Sequence, residues 1–257
     1  MEALLADIGQ ISALVLLISW LNPTTHQYWQ QLDSWFFWQV NGSLKGNPTW
    51  QYVMAWANYR AADLLPAISV LLLYLHFCIQ AKSFSDTAQR VSHGLTIFVL
   101  LLITIVVFKF GVFEGLLGHF ALTDLLPRRS ATYVFENTIR LDQIFPDINS
   151  KITSKDSFPG DHATVMIFFA IFISYYAGRI YGGLCFLLAL IFIMPRLIGG
   201  AHWLSDILVG SGTIILASST LYQATPIHKI VTDYLSEYVI FLLRYFKIDR
   251  LITKHID

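Results

Sequence analysis

Apolar residues in this chain gather into long, nearly unbroken runs. Six stretches, at roughly 4–21, 62–80, 94–113, 163–181, 182–199 and 203–222, are dominated by Leu, Ile, Val, Phe, Ala and aromatic residues. A helix needs about 20 such residues to cross the hydrocarbon layer of a membrane. The pattern therefore predicts an all-α fold, a polytopic bundle of six transmembrane helices. Three runs are imperfect: the first carries Asp7 and the third Lys109, and Asp206 falls at the start of the sixth. Beyond the last run, Ile230, Tyr234, Tyr238, Phe241, Leu242 and Tyr245 recur at helical spacing. The segment 227–257 thus reads as an amphipathic tail lying along the membrane interface beside Lys229, Arg244, Lys247, Arg250 and Lys254. The aromatic stretch Trp29–Trp38, inside a predicted 22–61 loop, suits the headgroup zone. No repeat, low-complexity tract or linker divides the chain, so 1–257 reads as one membrane-embedded domain.

Composition narrows the class. Hydrophobic residues make up 55% of the 257, and charged residues only 13%, against about a quarter in soluble domains. The formal net charge is zero, which gives no footing for a nucleic-acid surface. Met1-Glu2-Ala3 lacks a basic leader, so the first run is expected to be a retained helix. Cys78 and Cys185 lie inside apolar runs and read as small core residues. An even number of spans puts both termini on one side. The short connections on that side carry Lys82, Arg90 and Arg179, which marks it as cytoplasmic. The 22–61 and 114–162 loops and the turn near 200 are then on the outer side.

The candidate chemistry sits at the ends of these runs. Arg196, His202 and Asp206 span the junction of the fifth and sixth runs, and Ser157-Phe158-Pro159-Gly160-Asp161-His162 leads into the fourth. The fourth run goes in, Arg179-Ile180-Tyr181-Gly182-Gly183 turns it, and the fifth comes back. His162 and His202 are therefore expected at the same outer face. His202 and Asp206, four apart, share a helix face. The carboxylate accepts a hydrogen bond from one ring N–H and leaves the other nitrogen as a lone-pair nucleophile for phosphorus. His162 suits a general acid on the leaving oxygen. Arg196 offers its fork to phosphoryl oxygens, and Arg128 and Arg129 extend the anion clamp. Backbone N–H groups around Gly160, Asp161 and His162 add donors at a helix start. Charge stabilisation of this kind dominates phosphoryl transfer. Taken singly, each residue has a plainer reading: an interfacial histidine, Asp206 as a helix cap, Arg196 as a snorkelling cation. Ionisable residues in membrane segments mark functional sites, and here several share one face. Asp161 either caps the fourth helix, the preferred reading, or offsets nearby basic groups. Arg60 and Asp63 form a plain ion pair or touch a headgroup. His76 and His93 read as structural or interfacial, and His119 has no identified partner. No His-Glu-x-x-His, Gly-rich phosphate loop or paired-cysteine motif is present, so zinc, nucleotide and redox chemistry find little support.

The run Arg196-x5-His202-x3-Asp206 resembles the third signature of the type 2 phosphatidic acid phosphatase superfamily. Pro159-Gly160-Asp161-His162 resembles its second, usually Pro-Ser-Gly-His. Gly160 and Asp161 replace Ser-Gly, and Pro195 replaces the usual Ser before the arginine. The first signature, Lys-x6-Arg-Pro, is poorly met: Ala121 and Leu122 stand seven positions before Arg128 and Arg129, and neither arginine precedes a proline. These departures are similar to one branch, the inner-membrane lipid A phosphotransferases, in Asp156 to His162, in Pro195-Arg196 through Gly200-Ala201-His202-Trp203 to Asp206, and in Asn58, Arg60 and Asp63. The resemblance implies His202 as nucleophile, His162 as general acid, Asp206 as orienting partner and the arginines as phosphate binders, with no metal and no cofactor. It suggests undecaprenyl pyrophosphate as donor and lipid A 1-phosphate as acceptor, on the periplasmic face of the bacterial inner membrane. The alternative is a lipid phosphatase that hydrolyses undecaprenyl pyrophosphate or another lipid phosphate. A non-enzymatic rival is a transporter or scaffold that binds lipid phosphate without chemistry.

Overall fold

The structure, a computed structural model, describes residues 2–117, 125, 126 and 128–246. His119, the first-signature positions Ala121 and Leu122, and the tail residues Lys247, Arg250 and Lys254 lie outside them. Among the described residues the chain is helical and forms no strand. In order come α1 (Glu2–Leu21), α2 (Pro23–Gly42), α3 (Pro48–Ala57), a 3₁₀ turn (Arg60–Asp63), α4 (Leu64–Ile79) and α5 (Phe84–Thr104). A wide-wound π segment (Ile105–Leu117) continues α5. Short turns α6 (Ala131–Val134) and α7 (Leu141–Ile144) precede α8 (Asp161–Ala177) and α9 (Arg179–Ile198). A second π segment (Asp206–Ser211) opens α10 (Gly212–Ala224), and α11 (Ile227–Tyr245) closes the described chain.

Caps account for several boundaries. Asn22 accepts from the Thr24 amide at 3.0 Å, with Pro23 in the first helical turn, so α1 stops and α2 starts at an 87° corner. Asn47 caps α3 in the same way, through the Trp50 amide at 3.0 Å. Ser83 accepts from Asp86 N at 3.1 Å while the Asp86 carboxylate accepts from Lys82 N at 2.9 Å, which starts α5.

The molecule is an all-α membrane protein. Four helical stretches are long and apolar enough to cross a membrane: Arg60–Ile79, Phe84–Gly115, Arg179–Ile198 and Asp206–Ala224. Of the expected six, the first and the fourth do not pass by themselves among the described residues. The first run passes only as a bent pair with α2, and α8 has 17 residues, about 25 Å at 1.5 Å per residue. α8 is the central helix, packed on α4, α5, α9 and α10, and it buries Phe168, Phe172 and Ile173. Outward faces are apolar, as lipid requires: Leu71 and Leu75 on α4, Leu187 and Ile191 on α9, Phe98 and Leu102 on α5 are all exposed.

Residues 22–61, expected as a loop, form two helices and a 3₁₀ turn. The reason is visible on α2. Its buried face carries His26, Asp33, Phe37 and Asn41, so helical spacing is present but mostly on polar residues. α11 runs antiparallel along α5: Thr96 Oγ1 and Thr232 Oγ1 are 2.9 Å apart, and the Arg244 guanidinium lies 5.9 Å from the Phe84 ring.

Candidate active site

His202 stands on the connection between α9 and the second π segment. That connection turns at Gly200, whose φ is +80°. A Cβ there would come within 2.6 Å of Thr132 and 2.8 Å of Phe37, so both the backbone conformation and the packing require glycine. The His202 ring is held from behind. Nδ1 lies 2.9 Å from the Ser157 carbonyl oxygen and 3.5 Å from Asp206 Oδ2. A carbonyl only accepts, so Nδ1 carries the proton and Nε2 keeps its lone pair. Asp206 is fully buried. Its Oδ2 accepts from Trp203 N at 2.8 Å, and its Oδ1 from Arg128 Nη1 at 2.8 Å.

Arg128 is tied into this cluster on every side. Nη1 also donates to Ser205 Oγ at 2.6 Å, and Nη2 donates to Asp33 Oδ2 at 2.6 Å. Trp203 and Trp20 rings flank the guanidinium at 5.2 and 5.7 Å. This differs from the expectation of a free phosphate clamp: two carboxylates and a hydroxyl occupy the fork. Asp33 itself was missed in the sequence. It belongs to no motif, and the one signal was its place in a polar stripe at helical spacing (His26, Asp33, Phe37, Asn41).

His162 opens α8, and its neighbours differ. His162 Nε2 is 3.5 Å from Asp63 Oδ1, which also receives Arg196 Nη2. Arg196 is buried near the end of α9; its Nη1 donates to the Lys151 carbonyl at 3.0 Å and reaches the Asn58 carbonyl at 3.4 Å. Asn58, fully buried, donates to Pro195 O at 2.8 Å and Met54 O at 2.9 Å, so it braces the backbone that carries Arg196. Asp63 thus pairs with Arg196, and Arg60 makes no ion pair among the described residues; its amide donates to Asn149 O at 3.0 Å.

The two histidines are brought together by backbone. Gly160 N donates to Asp206 O at 3.0 Å, and Ser211 Oγ donates to Gly160 O at 2.8 Å. These bonds pin the start of α8 to the start of the second π segment, and Ser157, which holds His202, lies five residues before His162. A Cβ on Gly160 would meet Ser211 Oγ at 3.2 Å and Ile207 at 3.3 Å. Gly160 therefore serves this close approach, and its N–H is already committed rather than free for an anion. Asp161 makes no capping hydrogen bond. Its carboxylate receives Lys109 Nζ at 2.6 Å, so it offsets a basic group, and the preferred cap reading gives way. Arg129 lies over the Tyr133 ring at 4.9 Å and lines a cavity of about 490 Å³ with Asp33, Arg128, Gln30, Ser34 and Trp203. A second cavity, about 230 Å³, is lined by Asp63, Asp161, His162 and Val165. Among the described residues no group of three His, Cys, Asp or Glu side chains is placed to hold a metal ion.

What the arrangement offers is one imidazole with a fixed tautomer and an Nε2 that makes no hydrogen bond among the described residues, a second imidazole beside a carboxylate, and a buried arginine paired with that carboxylate. Comparison with known proteins agrees with that chemistry. The family model described as the PAP2 superfamily matches residues 133–227. Lipid A 1-diphosphate synthase of Escherichia coli (strain K12) is 30% identical over 219 residues, covering 84% of this chain and 86% of that protein. No solved structure matches the chain.

Proposed function

The chain belongs to the PAP2 superfamily, and from that premise we propose that it is a lipid phosphotransferase whose nucleophile is His202. The donor is a polyprenyl pyrophosphate, undecaprenyl pyrophosphate, and the acceptor is lipid A 1-phosphate. The reaction takes place at the periplasmic face of the bacterial inner membrane, within a single domain. His202 Nε2 attacks the terminal phosphorus of the donor. An N–P bond forms, the bridging P–O bond breaks, and undecaprenyl phosphate leaves with the proton that His162 gives to its oxygen. An acceptor phosphate oxygen then attacks the phosphohistidine; the N–P bond breaks, and lipid A 1-diphosphate forms. Arg196 stabilises the charge on the equatorial oxygens. Arg60 and Asp63 border the headgroup, Asn58 braces the backbone behind Arg196 instead of touching it, and Arg129 offers a further cation from the cavity it lines.

The observation that carries this reading is the His202 ring, fixed at Nδ1 by the Ser157 carbonyl and Asp206, with Nε2 left to react. The similarity to a protein named for lipid A 1-diphosphate synthesis favours a lipid acceptor over water. Purified protein in detergent, given both lipids, is expected to form lipid A 1-diphosphate. Release of inorganic phosphate without transfer would replace the proposal by hydrolysis. His202→Ala is expected to lower the rate by roughly 10⁴-fold or more, and retention of either activity by that variant removes the nucleophile.

A further inference from the structure

Asp33 carries no motif, yet it is among the most buried charges in the protein, at 1% exposure. Its carboxylate accepts three short hydrogen bonds: Arg128 Nη2 at 2.6 Å, Ser205 N at 2.7 Å and Ser205 Oγ at 2.6 Å. A buried Asp206–Arg128 pair balances its own charge, so a second buried carboxylate adds desolvation cost that neutrality does not require. What Asp33 adds is direction. It holds one arm of the planar guanidinium, two tryptophan rings flank the plane, and the other arm is left aimed at Asp206 Oδ1. With Oδ1 engaged, Asp206 keeps Oδ2 toward Trp203 N and the His202 ring. The same carboxylate grips Ser205, three residues after His202, and so also fixes the backbone that carries the histidine.

We infer that Asp33 is a positioning residue for His202, acting through Arg128 on Asp206 and through Ser205 on the His202 connection. The inference rests on the proposed role of His202 as nucleophile. Asp33 and Arg128 border the cavity of about 490 Å³, but the Asp33 oxygens and the Arg128 fork are already engaged within the cluster, so the effect of a positioning role belongs in kcat. Asp33→Asn, nearly the same shape, is expected to lower kcat by about 10–100-fold, as loss of an outer partner of an oriented histidine does, with KM within about twofold. Residues that act as one unit are non-additive. Asp33→Asn combined with Asp206→Asn is therefore expected to be no slower than Asp206→Asn alone. Ser205→Ala keeps every charge and is the second probe if Asp33→Asn is recovered poorly; it too is expected to lower kcat at constant KM. An unchanged kcat in Ser205→Ala and Asp33→Asn, a rise in KM alone, or fully multiplicative effects in the double variant would each overturn the inference. His202→Ala measured in parallel separates the two readings: its activity tests the nucleophile, while an inactive His202→Ala beside a fully active Asp33→Asn removes only the relay.

Discussion

Each histidine of the site is backed by an aspartate that an arginine holds, but the two arrangements differ in what surrounds them. Asp206 is fully buried, and Arg128, Trp203 N and His202 crowd its two oxygens. Asp63 keeps 30% of its side chain exposed and lines a cavity together with His162. The Asp206 cluster borders the cavity of about 490 Å³ through Arg128 and Asp33, yet its carboxylates and guanidinium are engaged with one another, which suits it to orientation. The Asp63 arrangement is, on the proposed function, where an incoming phosphate meets the protein, and Arg196, paired with Asp63, is the cation it competes for. On the proposed function the two aspartates therefore do different work, although each stands between an arginine and a histidine.

Substitutions that treat the two alike should separate them. The largest effect is expected from Asp206→Asn. An amide must turn its NH₂ toward either Arg128 or the Trp203 N–H, so one buried donor loses its acceptor. kcat should fall by roughly 10³–10⁴-fold, on the scale seen when a histidine loses its orienting carboxylate. Unfolding should shift by about 3–5 kcal/mol, as when a buried ion pair is broken. Steady-state kinetics and denaturation in detergent check both, and a kcat within tenfold of the parent would deny the orienting role. His162→Ala should cost about 10²–10⁴-fold with a poor leaving group, and far less with an aryl phosphate whose leaving oxygen needs no proton. Equal losses with both substrates would remove the acid. The smallest effect is expected at Asp63→Asn, where one partly exposed charge is worth about 1 kcal/mol. KM should fall by roughly fivefold as repulsion and competition for Arg196 disappear. A higher KM would mean that Asp63 holds Arg196 in place more than it shields it.

The contrast also explains what the sequence showed. α8 and α9 are legible as apolar runs because lipid and core both demand apolar side chains, and the hairpin they imply brings His162 and His202 to one end. Asp206, four residues from His202, is legible for the same local reason. Asp33 is 95 residues from Arg128, and Asp63 is 133 from Arg196. No local period reports such pairs. α2 was hidden because its inward face is built of His26, Asp33 and Asn41, the reverse of the apolar stripe by which a helix is found. Sequence alone gives Arg128 to phosphate, because an arginine after a membrane segment looks free until its partners are placed.

α5 and the strap formed by α11 carry a consequence of their own. With its π continuation α5 belongs to a stretch of 32 residues, roughly 48 Å at helical rise, whereas the oily layer is about 30 Å thick. His93 stacks on Tyr176 at the far end of α8, so the first turns of α5 overhang on the side away from the histidines. α11 lies along that overhang and turns Ile230, Tyr234, Tyr238, Phe241 and Tyr245 outward. Aromatic rings of this kind settle where water gives way to hydrocarbon. On the proposed function such a stub would act as a float, setting the draught of the bundle and with it the height to which a lipid's phosphates must climb to reach His202.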